Sequence, residues 1–217
     1  MPSIEVFLAY TTNSPTGQRP RSAEGDRSEL SIGLGSGILI GESAKHTTLE
    51  KIVGVEIAPS VVEGARYFDA ENNGILDSPR VDVVVNDGVN YLLTTEEKFD
   101  IISTDGKTLP EYGVNGVFFS QEYYSLMRDH LTPGVVAIQW ISSHYPPNVF
   151  RTVLQTFTRV FPHVLLWYAD GNCFLVGSNH EIAFDMAAIG RKLGEPEGPL
   201  RDCENLALRQ PNPCCLT

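Results

Sequence analysis

The run Gly33-Leu34-Gly35-Ser36-Gly37 constrains the fold of this chain more than any other feature. It follows the short apolar stretch Leu30–Ile32 and precedes a helical pattern over Ile38–Lys45. Glycines in alternate positions between a strand and a helix permit a tight turn and let the backbone come close to a ligand. A strand, glycine loop and helix in that order open the Rossmann-like α/β folds, where nucleosides bind outside the carboxyl ends of parallel strands. Glycine turns between strands and helices are common, so the rest of the chain has to supply the other parts of such a site.

The pattern after the loop keeps alternating. Strands are expected at Lys51–Ile57, Val81–Asn86, Phe99–Thr104 and Val135–Ile141, the last entered through a Pro133-Gly134 turn. Val81–Asn86 is β-branched and almost continuously apolar, as a strand covered on both faces would be. Between them lie helical patterns from Pro59 to about Ala70, Val89–Thr95, Gln121–His130 and Pro146–Val160. Val164–Tyr168 and Cys173–Gly177 then form a hairpin around Asp170-Gly171. The implied class is α/β: a Rossmann-like fold of the S-adenosylmethionine-dependent methyltransferase type, mostly parallel, closed by an antiparallel hairpin. The domain is expected over residues 29–193. Segments 1–28 and 194–217, rich in Pro, Gly and polar residues, are expected to be irregular, apart from a short strand over Ile4–Tyr10.

Composition narrows the partners. A net charge of −11 argues against nucleic acid, which needs Lys and Arg against phosphate. It is a solubilising surface first, and one that also attracts cations. No apolar run is long enough for a transmembrane helix, and no secretory signal is evident. The cysteines at 173, 203, 214 and 215 form no spaced metal-binding pair, so no metal and a reducing, cytoplasmic setting are expected. Cys214-Cys215-Leu216-Thr217 resembles a prenylation box only in form, without a polybasic segment before it.

Carboxylates fall at the expected strand ends. Glu56 stands nineteen positions after Gly37, where a carboxylate can accept from both ribose hydroxyls, unless it is a solvent-facing strand end. Asp87, before Gly88, can accept from an adenine amino group, cap the helix that follows, or do both. Asp105 ends the fourth strand beside the expected topological switch of the sheet, where the reacting end of a ligand belongs. After it, the loop 106–120 carries Tyr112, Phe118 and Phe119 and has the composition of a lid. His144 is expected to face solvent or the core, and Trp140 and Trp167 to be core residues. Hydrolase and P-loop signatures are absent from the sequence.

Taken in order, these stretches resemble the catalytic domain of spermidine synthases, the polyamine aminopropyltransferases, and most of all the branch found as soluble proteins or fused to membrane segments. The matching runs are Ile32–Gly37, Val53–Ile57, Asn73–Val81, Asn86–Leu92, Phe99–Asp105, Phe119–Tyr124, Gln139-Trp140 and Phe161–Val164. The resemblance implies transfer of an aminopropyl group from decarboxylated S-adenosylmethionine to a polyamine such as putrescine, with methylthioadenosine released. It implies no metal and no covalent intermediate, only orientation of two substrates and removal of a proton from the attacking amine. It makes Asp105 the catalytic carboxylate, and Gly33, Gly35, Ser36, Gly37, Glu56, Asp87 and Gly88 the nucleoside site. Asp105, Glu111 and Tyr112 become the amine site. The implied partner is a small polyamine, and a homodimer is compatible with the resemblance.

The chain departs from the family at named positions. Ser36 stands where the family usually has an Asp that pairs with the donor's ammonium. Thr108 replaces a second Asp of the amine loop, and Lys107 adds a positive charge there, with Glu111 as a compensating carboxylate. The first 28 residues do not resemble the family's N-terminal β-domain. Two alternatives therefore stand beside aminopropyl transfer: a methyltransferase of the same fold using S-adenosylmethionine itself, and a non-catalytic nucleoside-binding domain. A nicotinamide-dependent oxidoreductase is disfavoured, because the loop lacks the wider G-x-G-x-x-G spacing.

Overall fold

The computed structural model describes residues 27–105, 114–169 and 172–182. Its strands, numbered along the chain, are β1 (Arg27–Ile32), β2 (Leu49–Glu56), β3 (Val81–Val85), β4 (Phe99–Thr104), β5 (Leu131–Ser142), β6 (His163–Ala169) and β7 (Asn172–Ser178). Its α-helices are α1 (Ile38–Ala44), α2 (Pro59–Ala65), α3 (Asp69–Asn72), α4 (Gly88–Thr94), α5 (Gln121–Asp129) and α6 (Pro147–Val160). Short 3-10 turns lie at Arg66–Phe68, Ile75–Asp77 and Val114–Phe119.

The strands make one sheet in the order β3-β2-β1-β4-β5-β7-β6. β1 to β5 pair in parallel, while β7 runs antiparallel to both β5 and β6. The order reverses between β1 and β4, and this switch point opens a crevice at the carboxyl edge of the sheet. A strand that crosses over by a helix to a parallel neighbour buries both its faces, and residues 29–32, 52–56 and 99–104 of β1, β2 and β4 are buried on both.

One face of the sheet packs Leu30, Ile32, Val53, Val55 and Ile102 against Tyr123, Tyr124 and Met127 of α5 and Val153 and Phe157 of α6. α6 buries Val149, Val153, Phe157 and Val160, a helical stripe, and each such side chain contributes about 1.5–3 kcal/mol of burial. The opposite face packs Ile52, Ile101, Val136 and Ile138 against Ile40 of α1, Ala65 of α2 and Ile75. Among the described residues, no helix is long and apolar enough to cross a membrane.

Several boundaries differ from those the sequence predicts. β1 starts at Arg27, before its apolar core, because Arg27 and Ser28 pair with β2 and the Ser28 N–H donates to Asp100 Oδ2 at 2.9 Å. β3 is not covered on both faces: it is the edge strand, with Asp82 and Val85 exposed. A β-branched run reports strand propensity, and its place in the sheet is set by topology. The helix from Pro59 ends at Ala65, tightens to a 3-10 turn, and resumes only over Asp69–Asn72. Pro133-Gly134 is an irregularity inside β5, where the register against β4 shifts, and not a turn before it. The 3-10 segment Val114–Phe119 orders the end of a stretch expected to be loop. The predicted strand at Ile4–Tyr10 and both terminal segments lie outside the described residues, except for Arg27 and Ser28.

Candidate functional site

The glycine loop closes over the end of β1 with backbone φ of +96°, +55° and +77° at Gly33, Gly35 and Gly37, values that L side chains rarely adopt. The Gly33 N–H donates to the Val55 carbonyl at 2.9 Å and the Gly37 N–H to the Leu34 carbonyl at 2.9 Å, so the loop is tied to β2 and to itself. A buttress comes from the end of α3. Asn72, fully buried, donates from Nδ2 to the carbonyls of Ser36 at 3.0 Å and Ala65 at 2.8 Å, while its Oδ1 accepts from the Gly74 N–H at 3.0 Å.

Glu56 ends β2 beside this loop. Its Oε2 accepts from the Leu34 N–H at 3.1 Å and its Oε1 from the Ala58 N–H at 3.0 Å. Those bonds fix the plane of the carboxylate, and each oxygen keeps acceptor capacity for a hydroxyl donor. Ile57 follows it with its side chain 66% exposed, an apolar surface next to a charged one at the sheet edge.

Asp87 caps α4: its Oδ1 accepts from the N–H groups of Val89 and Asn90, each at 2.9 Å. Gly88 allows the helix to start this close to the sheet, because a Cβ there would lie 2.4 Å from Ile32 Cγ2 and 3.5 Å from the Phe118 ring. Phe118 in turn packs edge-on against Tyr123 with ring centres 5.0 Å apart. The 3-10 segment thus brings an aromatic side chain down onto the α4 start.

Asp105 follows β4, held by its N–H to the Ile32 carbonyl at 3.2 Å. With Leu39, Ser103, Thr104, Ile138, Trp140 and Phe174 it lines a crevice at the switch point. The Thr104 and Tyr123 hydroxyls share a buried 2.6 Å hydrogen bond just beneath. Burial raises the Tyr123 phenol well above its ordinary range, so it stays neutral. Burial also raises Tyr145, with the Asp105 charge adding to it, which places a second phenol near that carboxylate. Gln139, in register with Thr104, is fully buried and has its Oε1 without a protein partner.

The structure therefore brings the glycine loop, Glu56, Asp87, Gly88 and Asp105 to one edge of the sheet, at the ends of neighbouring strands. Glu111 and Tyr112, with Lys107 and Thr108, lie outside the described residues. His144 is exposed, with its ring Nδ1 3.4 Å from the adjoining Ser143 hydroxyl. Trp140 and Trp167 are half-buried and pack against the core, and Trp140 also lines the crevice and donates to Asn172 Oδ1 at 3.0 Å. Asn72 and Ile57 escaped the sequence reasoning, and Trp140 entered it only as a core residue. The only local signal for Asn72 is the Asn-Asn-Gly run, which by composition indicates a turn.

An open sheet of this order, with its closing strand antiparallel and its ligand-ready residues at the switch point, is the Rossmann-like fold of the S-adenosylmethionine-dependent methyltransferase type. Solved structures agree. A spermidine synthase from Thermotoga maritima superposes with TM-score 0.68 at 23% identity, over 96% of this chain and 69% of that one. Human methyltransferase-like protein 13, in complex with SAH, superposes with TM-score 0.69 at 22% identity over 91% of both chains.

The chain belongs to the spermine/spermidine synthase family: residues 18–170 match the spermine/spermidine synthase domain. Among curated relatives, a polyamine aminopropyltransferase of Aeropyrum pernix is 35% identical over 141 residues, 64% of this chain and 45% of the relative. The spermine synthase of Saccharomyces cerevisiae is 32% identical over 182 residues, 77% of this chain and 60% of the relative. The chain thus spans about half the length of the curated relatives it matches.

Proposed function

We propose that this domain binds an adenosyl sulfonium donor along the ends of β1 to β4 and transfers its aminopropyl group to a small polyamine. The observation that carries the proposal is the alignment of the glycine loop, Glu56, Asp87 and Asp105 on successive strand ends of one sheet edge. Glu56, oriented by two backbone N–H groups, accepts from the ribose hydroxyls. The adenine lies between the exposed Ile57 and the α4 start, where Asp87 accepts from its amino group. The glycine loop admits the sulfur end of the ligand, which then faces the crevice of Asp105.

Asp105 holds the cationic amine and takes a proton from it. The freed nitrogen lone pair attacks the methylene on sulfur, the carbon–sulfur bond breaks in line, and a neutral thioether leaves. An alkylammonium has a pKa of about 10, so passing its proton to a carboxylate is unfavourable in water, and the crevice offsets this by holding carboxylate and nitrogen together before the attack. Effective alignment of the two substrates does the rest.

A second proposal, methyl transfer from S-adenosylmethionine, is favoured by Ser36. A hydroxyl there leaves room for the methionine carboxylate, and the carbonyl of the same residue is engaged by Asn72. One experiment separates the two. The protein is incubated with putrescine and either donor, and the nucleoside product is identified. Methylthioadenosine formed from the decarboxylated donor, and reduced about 10²-fold or more in Asp105→Asn, supports aminopropyl transfer. S-adenosylhomocysteine from the intact donor alone replaces it with the second proposal, and absence of product and of nucleoside binding refutes both.

A further inference from the structure

β1 and β4 carry a strip of polar side chains into the apolar layer beneath α1. Glu29 and Ser31 alternate onto one face of β1, and Ser31 pairs with Ser103 of β4. Glu29, Ser31 and Ser103 are no more than 2% exposed, and Ser43 of α1 is fully buried. Glu29 Oε2 and the hydroxyls of Ser31 and Ser103 have no protein hydrogen-bond partner, while the Ser43 hydroxyl faces the Glu29 carboxylate. Buried polar atoms in that position are usually met by internal water. Ser103 also lines the crevice of Asp105, whose enclosed part measures about 10 Å³, close to the space of one water.

Close packing explains part of the strip. Ser31 pairs with Gly54, and a Cβ on Gly54 would lie 2.7 Å from Ile40 Cδ1, so small residues let α1 approach the sheet. It does not explain Glu29, which is not small and has no charged side chain shifting its carboxyl. Its neighbours in register are Ile52 and Ile101, and the polar group facing it is Ser43.

We infer that Ser103, Ser31 and Glu29, with Ser43 above them, form a hydrated strip that opens beside Asp105 and that Glu29 receives the proton the crevice carboxylate takes from the amine. This rests on the aminopropyl transfer proposed above. The proton first passes from the ammonium to the Asp105 carboxylate. It then moves through water and the Ser103 and Ser31 hydroxyls, each giving up its own proton as it gains one, to the Glu29 carboxylate. Asp105 is again an anion and Glu29 a neutral acid, until the proton returns to solvent through the emptied crevice. Burial raises Glu29 from 4.5 to about 7, with the Ser43 hydroxyl opposing part of the rise, and no charged side chain adds to the shift. A carboxyl titrating near neutrality can both take and release that proton, which an ordinary glutamate cannot.

The strip is tested first without any substrate. Infrared difference spectra of the protein between pH 6 and 8 should show a buried carboxyl band that is missing in Glu29→Gln. On transfer to heavy water the band should shift within the mixing time, and markedly slower in Ser31→Ala/Ser103→Ala. A band that exchanges as slowly as core amides, or no band at all, overturns the inference. Turnover supplies the second readout. The rate should rise through an apparent pKa near 7 in the wild type. Glu29→Gln should lose that inflection and fall about tenfold in kcat at pH 8 with KM unchanged, less than the loss of a direct general base. A profile identical to the wild type overturns the relay. Absence of methylthioadenosine from the wild type would refute aminopropyl transfer, and the exchange measurement would still decide the strip.

Discussion

Glu56→Gln tests the centre of the proposed nucleoside site while changing almost no volume. The wild-type carboxylate accepts from Leu34 N–H through one oxygen at 3.1 Å and from Ala58 N–H through the other at 3.0 Å. A glutamine has one carbonyl oxygen, so in either orientation its amide nitrogen faces an N–H group that it cannot satisfy. A hydrogen bond to a charged group contributes about 1.5–3 kcal/mol, and the residue is 9% exposed, so water does little to compensate. The variant should lose about 2 kcal/mol in urea unfolding. The ribose would also meet a single neutral acceptor in place of a carboxylate. A loss of the same size in binding is about 10–100-fold in affinity for methylthioadenosine, read by calorimetry. Stability and affinity both unchanged in Glu56→Gln would refute the assignment of this carboxylate as loop anchor and ribose ligand.

Other perturbations follow from the same geometry. Asn72→Ala removes the donor from the half-buried Ser36 carbonyl and the buried Ala65 carbonyl, while the Gly74 N–H keeps its bond to the Asp69 carbonyl. It should cost about 2–4 kcal/mol in unfolding and weaken nucleoside binding although Asn72 itself lies behind the loop. Wild-type affinity in that variant would show that the loop holds its shape unaided. Gly88→Ala places a Cβ 2.4 Å from Ile32 Cγ2, so α4 has to move, with a loss of about 1–3 kcal/mol and weaker binding together. For Glu29, the folded pKa of about 7 exceeds the unfolded 4.5, so the folded state holds more protons between those values. Its contribution is fully present below about pH 4.5 and is lost as pH rises through about 7, a swing of about 3 kcal/mol. The stability difference between Glu29→Gln and wild type should change by that amount between pH 4.5 and 8, and a constant difference would show that Glu29 titrates as an exposed carboxyl.

The sequence reveals most where one residue has one physical reason to be present. The glycine loop is legible because its positive φ angles leave few other residues possible. Glu56, Asp87 and Asp105 are legible because strand ends in an alternating α/β pattern can be located from periodicity alone. At Asp87 the sequence allows both capping and ligand binding, and the structure shows the cap, with its Oδ1 accepting from Val89 and Asn90. What stayed hidden depends on partners distant in the chain. Nothing local to Val81–Val85 says that it is an edge strand, since only the order of the sheet decides that. Asn72 acts on Ser36, thirty-six residues away, through a bond that no periodicity encodes. Trp140 reads as core by its apolar neighbours, yet the carboxyl-edge position of its part of β5 turns it to the crevice. Glu29 looks like an ordinary polar position of a strand start, and only its burial under α1 makes it unusual.

Aminopropyl transfer requires an adenosyl ligand to sit with its sulfur facing Asp105, and a crystal structure with methylthioadenosine bound tests this most directly. The ribose hydroxyls should lie on the Glu56 carboxylate, the adenine between Ile57 and the start of α4, and the sulfur at the mouth of the crevice facing Asp105. A nucleoside bound away from the carboxyl edge of β1 to β4, or lying there with its sulfur turned away from Asp105, would contradict the account.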